Sequence, residues 1–159
     1  MQKRITLARK SGDRHLLANS LTNQAMVHVF NHEWDQAEGP LREADRLFVE
    51  IGSSYGINQT RFWRTQVFFG REEIERAKAE ANLFVEYCQR VGEKNMQSTV
   101  LFFLGLIAEL ENDLQSTLYY SQKSLDLAKE VGSPDNLATI FVSLGRLKYL
   151  QGDFEVAIQ

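Results

Sequence analysis

Leu125-Asp-Leu-Ala-Lys-Glu-Val-Gly132 is the stretch that decides the fold, because the chain repeats it at a fixed interval. Forty residues earlier stands Val85 to Gly92, forty before that Asp45 to Gly52, and forty before that Ile5 to Gly12. Gly12, Gly52, Gly92 and Gly132 keep a spacing of 40, and Ile51, Val91 and Val131 precede three of them. A period of this length is the signature of a repeat array, in which each unit buries its apolar face against its neighbours.

Outward from these glycines, the chain reads as alternating helices. Residues 1–11 have the pattern of a helix end, with Ile5, Leu7 and Ala8 at the positions later held by Val85, Tyr87 and Cys88. Glycine accepts the left-handed conformation that closes a helix, and Asp13 can cap the next one, which spans about 14–31 with Leu17, Leu21, Ala25 and Val29 at spacings of four. The helix after it, about 34–51, carries Trp34, Ala37, Leu41, Ala44, Leu47, Phe48 and Ile51 as an amphipathic stripe, and Pro40 inside it is expected to weaken or kink it. The same pair recurs at about 53–69 and 73–91, and at about 94–111 and 114–131. A last pair opens at Ser133-Pro134, where proline at the first helical residue is favourable, and turns at Gln151-Gly152-Asp153. The expected organisation is one array over residues 1–159, with a partial unit 1–12, units of about 13–52, 53–92 and 93–132, and a partial unit 133–159.

Composition narrows the class. With 159 residues, 43% hydrophobic, 25% charged and only two prolines, the chain has the make-up of an ordered helical protein. Its net charge of -3 is mixed along the sequence and supplies no field to gather nucleic acid or to hold an anionic membrane. The basic cluster Lys3, Arg4, Arg9, Lys10 and Arg14 has no interleaved aromatics and reads as a solvated helix face. The beginning of the sequence lacks the apolar core of a signal peptide, and no apolar run reaches the roughly 18 residues needed to cross a bilayer, so the cytoplasm is the expected compartment. Cys88 is the one cysteine, excludes an intramolecular disulfide, and reads as core packing.

Leu144-Gly145, Tyr149, Gln151-Gly152-Asp153-Phe154 and Ala157-Ile158 resemble the tetratricopeptide repeat. The other units fit the pattern in register. Ala25, Thr65, Gly105 and Gly145 take the small position where paired helices cross, with Thr65 straining it; Ala37, Ala77, Thr117 and Ala157 take the second small position; and Trp34, Ile74, Leu114 and Phe154 take the large apolar position after the turn. The usual unit has about 34 residues and ends on proline, whereas this one has 40 and ends on glycine. It is similar to the longer-unit branch found in bacterial signalling ATPases, in maltose-regulator-like transcription activators and in eukaryotic scaffolds that orient cell division.

The resemblance implies an all-α fold, a right-handed α-solenoid of antiparallel helix hairpins with about eight helices plus partial terminal ones. It further implies that the first helix of each pair lines a concave, ligand-holding face. Carried over position by position, that face comprises Asn19, Thr22, Asn23, Met26 and Phe30; Gln59, Phe62, Trp63, Gln66 and Phe69; Thr99, Phe102, Phe103, Leu106 and Glu109; and Thr139, Val142, Ser143, Arg146 and Tyr149. An aromatic surface rimmed by amides suits peptide or helix docking, and Asn23, Gln59 and Gln66 can both donate to and accept from a peptide backbone. The competing reading of Phe62, Trp63, Phe102 and Phe103 is packing between units, since aromatics at helical spacing are commonly core. Thr22 stands where a carboxylate-clamping lysine would be expected, which argues against an acidic peptide end as ligand.

Catalytic and metal-binding patterns are weak. His28 and His32 lie four apart next to Glu33, but His32-Glu33-Trp34-Asp35-Gln36 lacks the second histidine of the zinc protease motif, so they read as a surface pair and no metal or cofactor is expected. Gly52-Ser-Ser-Tyr-Gly56 is not followed by the lysine and threonine of a phosphate loop, and no nucleophile stands near a base. The expectation is therefore a non-enzymatic scaffold that holds a peptide or helix of a protein partner. The alternative is an effector-sensing regulatory segment of a larger signalling ATPase or transcription regulator. Open ends exposing Ile5 and Leu7, and Phe154 and Ile158, would imply a longer array or end-to-end self-association.

Overall fold

A computed structural model of the chain describes residues 2–132 and Gly145. The described residues form seven α-helices joined by short turns, with no strand among them: α1 (Gln2–Ser11), α2 (Arg14–Phe30), α3 (Trp34–Glu50), α4 (Ser54–Gly70), α5 (Ile74–Val91), α6 (Lys94–Leu110) and α7 (Leu114–Val131). The first members of successive pairs begin at 14, 54 and 94 and the second at 34, 74 and 114, so the 40-residue interval of the glycines is also the interval of the helices. Two compact units are present, Met1–Phe84 and Val85–Gln159, with the boundary inside α5.

Turn chemistry sets these boundaries. Gly12, Gly52, Gly92 and Gly132 all have a positive φ, from 65° to 73°, and each sits where one pair hands over to the next. Asp13 caps α2 by accepting from the Leu16 N-H at 2.8 Å, and Ser53, Glu93 and Asp113 cap α4, α6 and α7 in the same way. The turn inside each pair also needs a left-handed residue, and here the chain uses His32, Glu72 and Asn112, with φ near 60°. Such a backbone costs an L-residue about 1 kcal/mol or more. Exposed Glu72 is the clean place to measure this. Glu72→Gly should raise the stability of unit 1 by about 0.5 kcal/mol in urea unfolding, the relief of strain being partly offset by the greater chain entropy of unfolded glycine.

In unit 1 the helices pack in sequence, α1 on α2, α2 on α3 and α3 on α4, and the first helices α2 and α4 also touch. One apolar cluster joins Ile5, Ala18, Leu21, Ala44, Leu47 and Phe48, flanked by Leu17, Ile51 and Ile57. Burying each of its larger side chains is worth about 1.5–3 kcal/mol. Ile5, expected on an open end, is 6% exposed, because α2 covers it; of the pair named there only Leu7 is out, at 62%. Pro40 does not interrupt α3, which runs unbroken from Trp34 to Glu50. The stripe Leu41, Ala44, Leu47 and Phe48 is buried directly after it, and tertiary packing of this kind outweighs one lost backbone hydrogen bond.

Small residues fix how closely the helices approach. Thr65 is fully buried and dissipates its polarity by donating to the Arg61 carbonyl at 3.0 Å, as Thr117 donates to the Asp113 carbonyl at 2.7 Å. Gly56 gives up its side chain to Phe48: a Cβ there would lie 2.1 Å from the phenyl ring. Gly70 does the same for Trp34, whose indole would come within 2.3 Å. In unit 2, α6 packs on α7, with Phe102 against Leu125 and Ala128 and Gly105 close to Ser121. Ser98 and Ser124, each fully buried, exchange hydrogen bonds across that pair, Ser98 Oγ donating to the Ser124 carbonyl at 2.8 Å and Ser124 Oγ to the Ser98 carbonyl at 2.7 Å.

Candidate ligand groove

The face formed by α2 and α4 in unit 1 is where the residues singled out in the sequence gather. Asn19 is exposed, while Asn23, Met26, Gln59, Trp63, Gln66 and Phe69 are half-buried. Phe30 and Val27 add apolar surface at 67% and 41% exposure. Phe30 meets Trp63 edge-on with ring centroids 5.7 Å apart, so the two helices present a joined aromatic surface. Behind it Trp63 contacts Phe62 at 4.9 Å, and Phe62 contacts Phe84 at 5.7 Å. Phe62 is only 8% exposed, which makes it the inner wall of the aromatic row and not a contact surface. Thr22 is likewise turned inward, its hydroxyl donating to the Ala18 carbonyl at 3.0 Å.

The electrostatics of this face are those of a neutral surface. From Leu16 to Val27 the sequence carries no charged residue. The two arginines of α4 are engaged elsewhere. Arg64 bridges Asp45 of α3 at 3.3 Å and Glu80 of α5 at 2.9 Å, and Arg61 donates to Asn58 Oδ1 at 3.0 Å. Asp45 also lies 2.9 Å from the Thr60 hydroxyl. A second ion-pair group centres on Arg71, which binds Asp35, Glu38 and Glu73; the hydrogen bond to Glu38 leads the causes that raise its pKa. Sequence reading passed over these groups. The signal was present in Arg61 and Arg64, three apart on one face of a helix that has little room for solvated charge.

On α6 of unit 2, Phe102, Phe103 and Leu106 are half-buried. Phe102 packs against Leu125 and Ala128 of α7, which makes it largely a core side chain, and its ring lies 6.1 Å from that of Phe103. Arg146 and Tyr149, with Thr139, Val142, Ser143, Phe154 and Ile158, lie outside the described residues. Among the described residues no helix is long and apolar enough to cross a membrane.

The histidines and the cysteine occupy structural positions. His28 Nδ1 lies 2.6 Å from Glu33 Oε2, and His32 sits at the left-handed turn with its ring 5.1 Å from that of Trp34. Cys88 is fully buried, and burial, reinforced by the Glu93 carboxylate, pushes its thiol up to about 12. The sign of the linkage follows. Unfolded, the thiol ionises near 8.5; folded, it holds its proton, so stability is complete below that pH and falls as pH rises toward 12, with a slope approaching about 1.4 kcal/mol per unit. Denaturant titrations at about pH 8 and about pH 10 should show this alkaline loss in the wild type and a smaller one in Cys88→Ala.

Compared with protein-family models and with curated proteins, the chain matches none.

Proposed function

We propose that this chain is a protein-protein interaction scaffold of the tetratricopeptide kind, a right-handed α-solenoid whose first helices hold a peptide or helix of a partner. The observation that supports this reading best is the α2–α4 face: the Phe30–Trp63 pair, Met26 and Val27 stand together beside Asn19, Asn23, Gln59 and Gln66, with no charged residue on α2 between Leu16 and Val27. Aromatic anchors beside side-chain amides suit a partner segment that buries apolar residues and offers backbone groups for pairing. A charged side chain set on this neutral surface would lose hydration without gaining a counter-ion.

The test is capture of a partner by the full chain from the cytosol of its source, repeated with Phe30→Ala and Trp63→Ala combined. Because anchor truncations commonly cost 2 kcal/mol or more, retention should fall about 30-fold or more while the helical circular dichroism stays unchanged. Equal capture by the variant would remove the groove from the reading.

A further inference from the structure

A second concavity lies elsewhere in unit 1, in the cleft between α3 and α5, and it has the features of a small-molecule site. The cleft is open to solvent on one side and has a volume of about 260 Å³. Leu41, Val67 and Phe68, each at most 4% exposed, supply its apolar lining. Ala79 keeps the α5 side low, and Leu83 stands on the rim, 45% exposed.

The walls carry both signs of charge. Glu38 and Glu80 face Arg42, Arg64 and Arg76. Four of these five are already engaged: Glu38 with Arg71, Glu80 with Arg64, and Arg76 with Glu73 while its guanidinium lies 3.9 Å above the Phe68 ring. Among the described residues Arg42 is exposed and takes part in no ion pair, so it is a wall cation open to a ligand anion. On the opposite wall the Glu80–Arg64 pair is incomplete. Glu80 Oε2, which has Arg61 Nε at 3.7 Å but no hydrogen bond, and Arg64 Nε are shut off from water, although the Glu80 and Arg64 side chains themselves are about one-fifth exposed. Buried polar atoms without partners are uncommon, and those beside a cavity mark a wall that a polar ligand group can complete after a small side-chain rotation.

We propose that this cleft binds a free apolar α-amino acid, its carboxylate on Arg42, its ammonium on Glu80 and its side chain against Leu83, with Leu41 and Val67 beneath. A zwitterion uses both signs of the wall. A simple organic anion would leave Glu80 Oε2 without a hydrogen-bond partner, and a simple amine would leave Arg42 without a counter-ion. A ligand of about a dozen heavy atoms held by two charge-assisted hydrogen bonds and a partly open apolar floor should bind with Kd on the order of 1 mM.

The experiment is an isothermal or NMR titration of the full chain with L-phenylalanine, N-acetyl-L-phenylalanine and L-phenylalaninamide. The free amino acid should bind. Acetylation removes the ammonium and amidation the carboxylate, and each should weaken binding about tenfold or more. Arg42→Gln should weaken L-phenylalanine by about the same factor. Ala79→Leu, a substitution that costs little helix propensity at an exposed position, should fill the cleft and abolish binding without unfolding the chain. No binding of L-phenylalanine at about 10 mM, well above the expected Kd, would overturn the proposal. Binding that survives both Arg42→Gln and Ala79→Leu would overturn it as well.

Discussion

Gly56→Ala should destabilise unit 1 by about 3 kcal/mol, although it adds one methyl group to a helix and improves local helix propensity. The Cβ would lie 2.1 Å from the Phe48 ring, and Phe48 is itself 2% exposed and enclosed with Ala18, Leu21, Ala44 and Leu47. The ring has nowhere to move without displacing that cluster, and close-packed interiors transmit such strain instead of absorbing it. Equivalent positions elsewhere show the reverse assignment of bulk: the sequence pairs Ala8 with Leu16 and Cys88 with Met96, where this unit pairs Phe48 with Gly56. Phe48→Ala combined with Gly56→Leu should therefore recover much of the stability lost by the two single changes, a coupling of about 2 kcal/mol readable in a double-mutant cycle. A loss below about 0.5 kcal/mol for Gly56→Ala would mean that the ring and the glycine do not meet.

Arg64→Leu should be nearly as costly, about 2–4 kcal/mol. The guanidinium is the common counter-ion of Asp45 and Glu80, which come from α3 and α5 and are 24% and 18% exposed. Removing it leaves two half-buried carboxylates without a positive partner, apart from Arg61 at 3.7 Å from Glu80. The loss should shrink when Asp45→Asn and Glu80→Gln are added, because the amides carry no charge to leave unpaired. Urea unfolding of Arg64→Leu alone and together with both amide changes separates this from simple loss of packing, which the amides would not restore.

The helix boundaries were legible because glycine, aspartate and serine act locally: each needs only its own turn to announce itself. Gly12 and Asp13 end one helix and start another whatever surrounds them. The left-handed residues inside the pairs were not legible, since His32, Glu72 and Asn112 share no side-chain chemistry and are placed by the geometry of the turn. Pro40 misled for a related reason, its intrinsic cost being small beside the apolar stripe that follows it. The family resemblance implied that Phe62 and Trp63 line the groove but gave neither a depth; one ring is buried against Phe84 and its neighbour reaches Phe30, a difference set by helices distant in sequence. The α3–α5 cleft was invisible in the sequence because it requires Arg42, Phe68 and Ala79, from three helices, to stand around one space.

The reciprocal serines of unit 2 have a consequence for mechanical behaviour. Where unit 1 sets Ala18 and Ala44 in its core, α6 and α7 are joined by hydroxyls that each reach a carbonyl on the other helix. Methyl groups tolerate sliding, since one apolar neighbour serves as well as another, whereas shifting α6 along α7 by one turn would strand two hydroxyls in a dry interior. A pull along the helix axes thus meets a latch in the α6–α7 hairpin and only a greased surface in the α2–α3 hairpin, so the two should yield differently under shear even where their thermal stabilities match.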